Sequence, residues 1–313
     1  MQNAPTLLNK KLVVLVRQLM KHHFGRKKLQ ISVLSGGITN FVYSVKSGKE
    51  ELVVRLGRNP DKINFFLKEQ WAVARALEKG IPVPEILEVG NSIIPMPYMI
   101  MKKINGEEAS DHLDRSLIIN EMGRYASIIH TIPTHDYGHS FDWSQNILSR
   151  NINWKDYLYD ELQFEERMDF LKSNRLLTTK TFGKLKSLIH IIEQWKGKPC
   201  LHHGDLRLKN ILVDKKGKIV SIIDWENCVS SIPPYWDISI ALHDLSIDKQ
   251  GYFLEGYGLT GKMTLKIAPA LKVFNILNYV PEMQKMLQQR RKQKEKLEHY
   301  RARLGGALDM FSL

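Results

Sequence analysis

A chain of 313 residues is long for one domain and short for three, so two lobes are the expectation. Hydrophobic residues make up 43% of it, enough for a sizeable core, and no apolar run reaches the ~18 residues a membrane span needs. Cys200 and Cys228 are too few for a disulfide scaffold and fit a reducing compartment. They read as small buried residues at strand ends rather than nucleophiles. The net charge is +13, and basic residues crowd 285–296, read as a solvated helix face. No zinc spacing, RNA-binding aromatic signature or basic-zipper heptad accompanies it.

Residues 1–24 do not read as a signal peptide, because Lys10, Lys11 and Arg17 interrupt any apolar stretch. Leu8, Leu12, Leu15 and Leu19 recur at helical spacing and predict an amphipathic helix. Residues 31–45 read strand, glycine turn, strand, and residues 51–56 a third strand. Gly36 and Gly37 are either a plain hairpin turn or a place where backbone amides approach phosphate. They belong neither to a Walker A loop nor to G-x-G-x-x-G. Arg55, between valines and a leucine, is either an exposed strand position or a phosphate ligand. A helix follows over 61–79 with Ile63, Phe66, Leu67, Ala74 and Leu77 on one face. Glu69 beside that stripe either pairs with Arg55 or meets solvent. Gly80 and the prolines 82 and 84 end this helix, two short strands follow at 86–89 and 98–101, and 102–106 reads as the link to a second lobe.

The second half is mainly helical. Helices are predicted over 117–131 (Ile118, Met122, Tyr125, Ile129 inward), over an acid-rich 154–171, and over 182–195 (Leu185, Ile189, Ile192 inward). His130 reads as a core or cap residue. From Trp236 on, helices are predicted with breaks at Gly251, Gly256, Gly258, Gly261 and Pro269.

The sequence turns on Leu201-His-His-Gly-Asp-Leu-Arg-Leu-Lys-Asn210, followed by Ile222-Ile-Asp-Trp-Glu226. Asp205 stands five positions before Asn210, and Asp224 ends an apolar run. Phosphoryl transfer from a nucleotide to a hydroxyl needs a carboxylate to take the proton, and an amide oxygen and second carboxylate to hold magnesium. Two short strands, 211–213 and 219–223, lie between Asn210 and Asp224. A hairpin there is expected to bring those two residues to one metal.

Over roughly residues 30–260 the chain resembles the aminoglycoside phosphotransferase family, relatives of choline kinases in the protein-kinase-like superfamily. The resemblance implies an α+β, bilobal protein-kinase-like fold: residues 1–101 a small antiparallel-sheet N-lobe with one main helix, 102–313 a larger, mostly helical C-lobe. It implies Asp205 as catalytic base and Asn210 and Asp224 as magnesium ligands. Gly36, Gly37, Asn40, Arg55, Glu69, Met99 and Met101 fall at its nucleotide-binding positions, the last two in the hinge strand. His203 and Asp237 fall at supporting positions, with Asp237 expected to brace the loop. Gly204 stands where protein kinases carry Arg, which argues against regulation by a phosphorylated activation loop.

The implied reaction moves the γ-phosphoryl group of ATP or GTP, with Mg2+, to a hydroxyl of an aminoglycoside-like or other small polar acceptor. Choline-type or sugar kinases are the alternative. A non-catalytic nucleotide-binding or nucleic-acid-binding protein is the alternative of another class. Trp225, Glu226, Asp160 and Glu161 offer aromatic faces and carboxylates to a cationic acceptor, or else are core aromatics and a solvated helix face. The expected setting is cytoplasmic, without membrane, nucleic acid or obligate protein partner.

Overall fold

The computed structural model describes residues 7–25, 27–34, 40–142, 147–148, 153–232, 234–288 and 298. Gly36 and Gly37, and most of the basic stretch 285–296, lie outside them. The described residues up to Gly106, together with Val220–Glu226, form one compact unit. Those of Glu107–Ile219 and from Asn227 on form the other.

The first unit is built on a five-stranded antiparallel sheet of order β1-β2-β3-β5-β4: β1 Gln30–Val33, β2 Asn40–Ser47, β3 Glu50–Gly57, β4 Ile86–Gly90 and β5 Tyr98–Lys102. Helix α1 (Leu7–Phe24) buries Leu12, Val16, Leu19 and Met20 against Tyr43, Val45, Val54, Leu56 and Ile100. That i, i+4, i+7, i+8 stripe is what holds α1 on the sheet, at about 1.5–3 kcal/mol per enclosed side chain.

Helix α2 (Lys62–Glu78) buries Phe66 as expected, but otherwise a neighbouring face. Phe66, Glu69, Val73 and Ala76 turn inward, while Leu67 and Leu77 are 44% and 56% exposed. The apolar pattern alone does not mark this face, because a buried carboxylate, Glu69, occupies it. Burial of Glu69 requires a partner, and the partner decides the face.

In the second unit β6 (Glu107–Glu108) leads to helix α3 (Ser116–Ile129), which buries the four residues expected. The pair β7 (Phe141–Asp142) and β8 (Ile147–Leu148) follows. The acid-rich segment is not one helix. A turn of α4 (Trp154–Asp156) opens into a π turn over Tyr157–Glu161, and Gln163 at φ 52° stops it before α5 (Phe164–Ser173). Helix α6 (Thr179–Glu193) starts at Thr178, whose side chain accepts the Thr181 N–H.

Strand β9 (Cys200–His202) pairs with β12 (Val229–Ser231), and β10 (Ile211–Val213) with β6. After β10 the chain turns at Asp214, whose carboxylate accepts the Lys216 and Lys218 N–H groups, and enters β11 (Ile219–Ile222). Helices α7 (Tyr235–Asp244), α8 (Ile247–Tyr257) and α9 (Gly261–Gln288) complete the unit. Of the expected breaks, the left-handed Gly258 ends α8 and α9 begins at Gly261. Gly251 and Gly256 lie inside α8, and Pro269 inside α9. A Cβ on Gly256 would stand 1.8 Å from the Asn120 carbonyl oxygen, and one on Gly123 2.2 Å from that of Phe253, so α3 and α8 meet backbone to backbone. The core gathers Trp154, Tyr157, Phe164, Ile189 and Phe274 from α4 to α9.

Candidate active site

In the second unit, Asp205, Asn210, His203 and Asp237 are brought together and all four are buried. The loop after β9 is tied down by Asp237, the third residue of α7. Its Oδ2 accepts the His203 N–H at 2.7 Å and its Oδ1 the Gly204 N–H at 2.8 Å. Gly204 has φ 84°, and a Cβ there would overlap the Asn227 carbonyl oxygen at 1.9 Å. This is the physical reason no arginine precedes Asp205.

Asn210 ends the 3-10 turn Leu208–Asn210. Its amide donates to the Asp205 carbonyl at 2.8 Å and to Asp205 Oδ2 at 3.0 Å, which leaves the amide oxygen free of those bonds. The Asp205 carboxylate also receives Arg207 on Oδ1 and Lys209 on Oδ2, the latter at 3.1 Å. Both cations lie in the motif itself, at two and four positions after Asp205, but nothing in their spacing alone marks them as partners.

Behind the loop lies a network whose His130, His202 and Asp237 are buried and whose Tyr257 is half-buried. His130 Nε2 meets Asp237 Oδ2 at 3.2 Å, its Nδ1 meets the Tyr257 hydroxyl at 2.7 Å, and His202 lies beside both. Burial pushes His202 far below the usual imidazole range, with His130 adding to this. The network is accounted for by its own hydrogen bonds, and His130 is the core residue expected.

In the first unit, Arg55, Glu69, Asp224, Glu226 and Asn40 form one cluster. Arg55 Nη1 donates to both oxygens of Glu69, at 2.7 and 2.8 Å, and Nη2 to Glu226 at 3.0 Å; Asp224 Oδ1 stands 3.7 Å from Nη2. Of the two readings of Arg55, the exposed strand position is excluded, since it is 8% exposed. Burial opposes its charge, but the carboxylates of Glu69, Asp224 and Glu226 outweigh it and hold the guanidinium above its ordinary pKa. Asp224 has φ 66°, a left-handed conformation costly for a residue other than glycine. Its side chain remains 39% exposed.

For the acceptor candidates the geometry favours the second reading, core aromatics and a solvated helix face, for Trp225 and Asp160, and gives Glu226 and Glu161 other partners. Trp225 has no exposed surface and its indole N–H donates to the Ile222 carbonyl, so it offers no face to an acceptor. Glu226 is spent on Asn40, Arg55 and Lys62. Glu161 turns back to accept the His139 N–H at 2.8 Å, while Asp160 is exposed. Met99 and Met101 lie inside the sheet, β5 being paired with β3 on one side and β4 on the other. Met101 lies opposite an irregularity in the β4 pairing, and past Lys102 the Lys103 N–H still donates to the Glu51 carbonyl at 3.0 Å. Lys62, the first residue of α2, was missed; a lysine at a helix start carries no signal by itself.

An antiparallel sheet carrying helices α1 and α2, followed in the chain by a mostly helical unit with the Asp205 loop, defines a kinase-like phosphotransferase fold. Solved structures share it. Aminoglycoside phosphotransferase APH(4)-Ia matches at TM-score 0.68 and 16% identity over 96% of this chain and 99% of that one. The aminoglycoside 2'-phosphotransferase-IIIa, as a GDP complex, matches at 0.69 and 16% over 94% and 99%. The macrolide 2'-phosphotransferase MphH from Brachybacterium faecium matches at 0.64 and 13% over 92% and 97%. A thermostable mutant of APH(4)-Ia has been solved as a ternary complex with ADP and hygromycin B. No match was found among curated protein sequences.

The profile of the phosphotransferase enzyme family (APH) matches residues 30–266, and the chain belongs to that family. It is a phosphotransferase acting on hydroxyl groups. Among the described residues no helix is long and apolar enough to cross a membrane.

Proposed function

We propose that the protein transfers the γ-phosphoryl group of ATP or GTP to a hydroxyl of an aminoglycoside-like or other small polar acceptor. The observation that carries this reading is the Asp205 loop. A buried carboxylate is oriented by Asn210, and its backbone is fixed by Asp237. In this reading Asp205 takes the proton of the attacking hydroxyl, which needs a carboxylate held at a set position more than a strong base.

The donor set fits magnesium. The Asp224 carboxylate and the Asn210 amide oxygen are hard oxygen ligands of the kind Mg2+ selects. When bound, the ion would neutralise phosphate charge as the bond to the leaving oxygen breaks. Arg55, kept charged by its three carboxylates, adds a guanidinium that can bridge phosphate oxygens through paired N–H groups. Buried Glu69 fixes the direction in which that guanidinium lies. That neither cysteine is in a disulfide supports a cytoplasmic setting, where nucleoside triphosphate is at hand.

The test is a nucleotide-turnover screen over aminoglycosides, choline-like amines, sugars and macrolides, with Asp205→Ala as the blank. ADP or GDP release that depends on one acceptor class, and vanishes in Asp205→Ala while nucleotide binding persists, is the expected result. Equal loss of turnover and nucleotide binding in Asp205→Ala sinks the base assignment. Steeply salt-dependent binding to DNA or RNA without any turnover would favour a nucleic-acid-binding protein instead.

A further inference from the structure

In the first unit a single carboxylate oxygen collects three donors. Glu226 Oε2 accepts Asn40 Nδ2 at 3.1 Å, Arg55 Nη2 at 3.0 Å and Lys62 Nζ at 3.4 Å. The donors come from the start of β2, the end of β3 and the first residue of α2. Glu226 is 7% exposed, and the side chains of Arg55 and Lys62 are 10% and 13% exposed. Convergence of two cations and an amide on one anionic oxygen, away from water, is the coordination proteins give a phosphate oxygen.

Charge sharpens the point. Glu69 already engages Arg55 through two short contacts, so Glu226 is not required to keep the guanidinium paired. With Glu69, Asp224 and Glu226 all facing Arg55, carboxylates outnumber the cations Arg55 and Lys62. In that state the cluster repels an incoming phosphate. Moving the Glu226 carboxylate aside leaves two cations and an amide facing the volume that carboxylate occupied. The backbone need not move with it, since Trp225 is anchored by burial and by its bond to Ile222.

We infer that Glu226 is an internal stand-in for a nucleotide phosphate. It fills the Asn40–Arg55–Lys62 cradle in the free enzyme and yields it to a phosphate oxygen of the bound nucleotide. Lys62 is then a second phosphate-binding cation beside Arg55. This rests on the reading of the chain as a nucleotide-dependent phosphotransferase.

Calorimetric titration of the wild type, Glu226→Gln and Lys62→Met with ATP, inorganic tripolyphosphate and adenosine tests it. Glu226→Gln keeps the shape and removes the competing charge, so ATP and tripolyphosphate should bind several-fold more tightly. Lys62→Met should weaken both by about tenfold, the loss of one charged hydrogen bond. Adenosine affinity should stay unchanged in both variants. A wild type that binds ATP, with a Glu226→Gln that gains no affinity for either phosphate ligand, overturns this inference and leaves the nucleotide reading intact. A folded wild type that binds neither ATP nor GTP overturns the nucleotide reading and the inference with it. Should Glu226→Gln not fold, Lys62→Met decides: unchanged tripolyphosphate affinity overturns the inference, and a selective loss upholds it.

Discussion

Asp237 Oδ1 accepts the backbone N–H of Gly204 at 2.8 Å, so a carboxylate on α7 sets the path of the loop that carries Asp205. The same carboxylate takes the His203 N–H and meets His130, and none of it is exposed. Helix α7 thus fixes the loop through charge-assisted bonds to main chain.

This arrangement makes stability fall in acid. Burial alone would raise the Asp237 carboxyl, but the hydrogen bond from His130 and the imidazoles of His202, His130 and His203 hold it well below the usual carboxylate range. Burial likewise depresses His202. A depressed folded pKa contributes stability that is complete above the unfolded value and lost as pH falls. The loss should begin below about pH 6.5 through His202 and steepen below about pH 4 through Asp237. Thermal unfolding followed against pH should show both limbs. Asp237→Asn should start about 2–4 kcal/mol lower and lose the steeper one; an unchanged acid limb in that variant would contradict the assignment.

Gly204→Ala should damage the loop. A methyl group at φ 84° costs about 1–2 kcal/mol, and its overlap with the Asn227 carbonyl oxygen adds a comparable amount. Turnover should fall at least tenfold, with a lowered unfolding midpoint. Wild-type turnover and midpoint would show that the loop does not need this backbone.

The two cysteines should be silent. Cys200 and Cys228 are 4% and 0% exposed, and burial pushes the Cys200 thiol far above its ordinary range. A thiol reagent should label neither in the native protein and both in denaturant. Fast native labelling of Cys200 would revive the nucleophile reading.

The elements around the site were legible because their signals are local. Strand alternation, the α3 stripe and the spacing of Asp205 to Asn210 need no knowledge of distant residues. What escaped depends on partners far along the chain. Glu226 reads as an open carboxylate until Arg55, 171 positions earlier, is found on it. The face of α2 was misjudged because Glu69 is buried by its pairing with Arg55. The segment 154–171 kept a helical pattern throughout, and neither glycine nor proline announces the left-handed Gln163.

The return of Val220–Glu226 to the first unit also bears on how the protein is made. A nascent chain that has reached only Gly106 has its sheet and both helices in hand, but not the acidic segment that joins the Arg55 cluster. Folding from the N-terminus during translation therefore stays incomplete until synthesis passes Glu226. Most of the second unit is by then already synthesised. The Arg55 cluster is finished late, and termination before Asp224 leaves it without both Asp224 and Glu226.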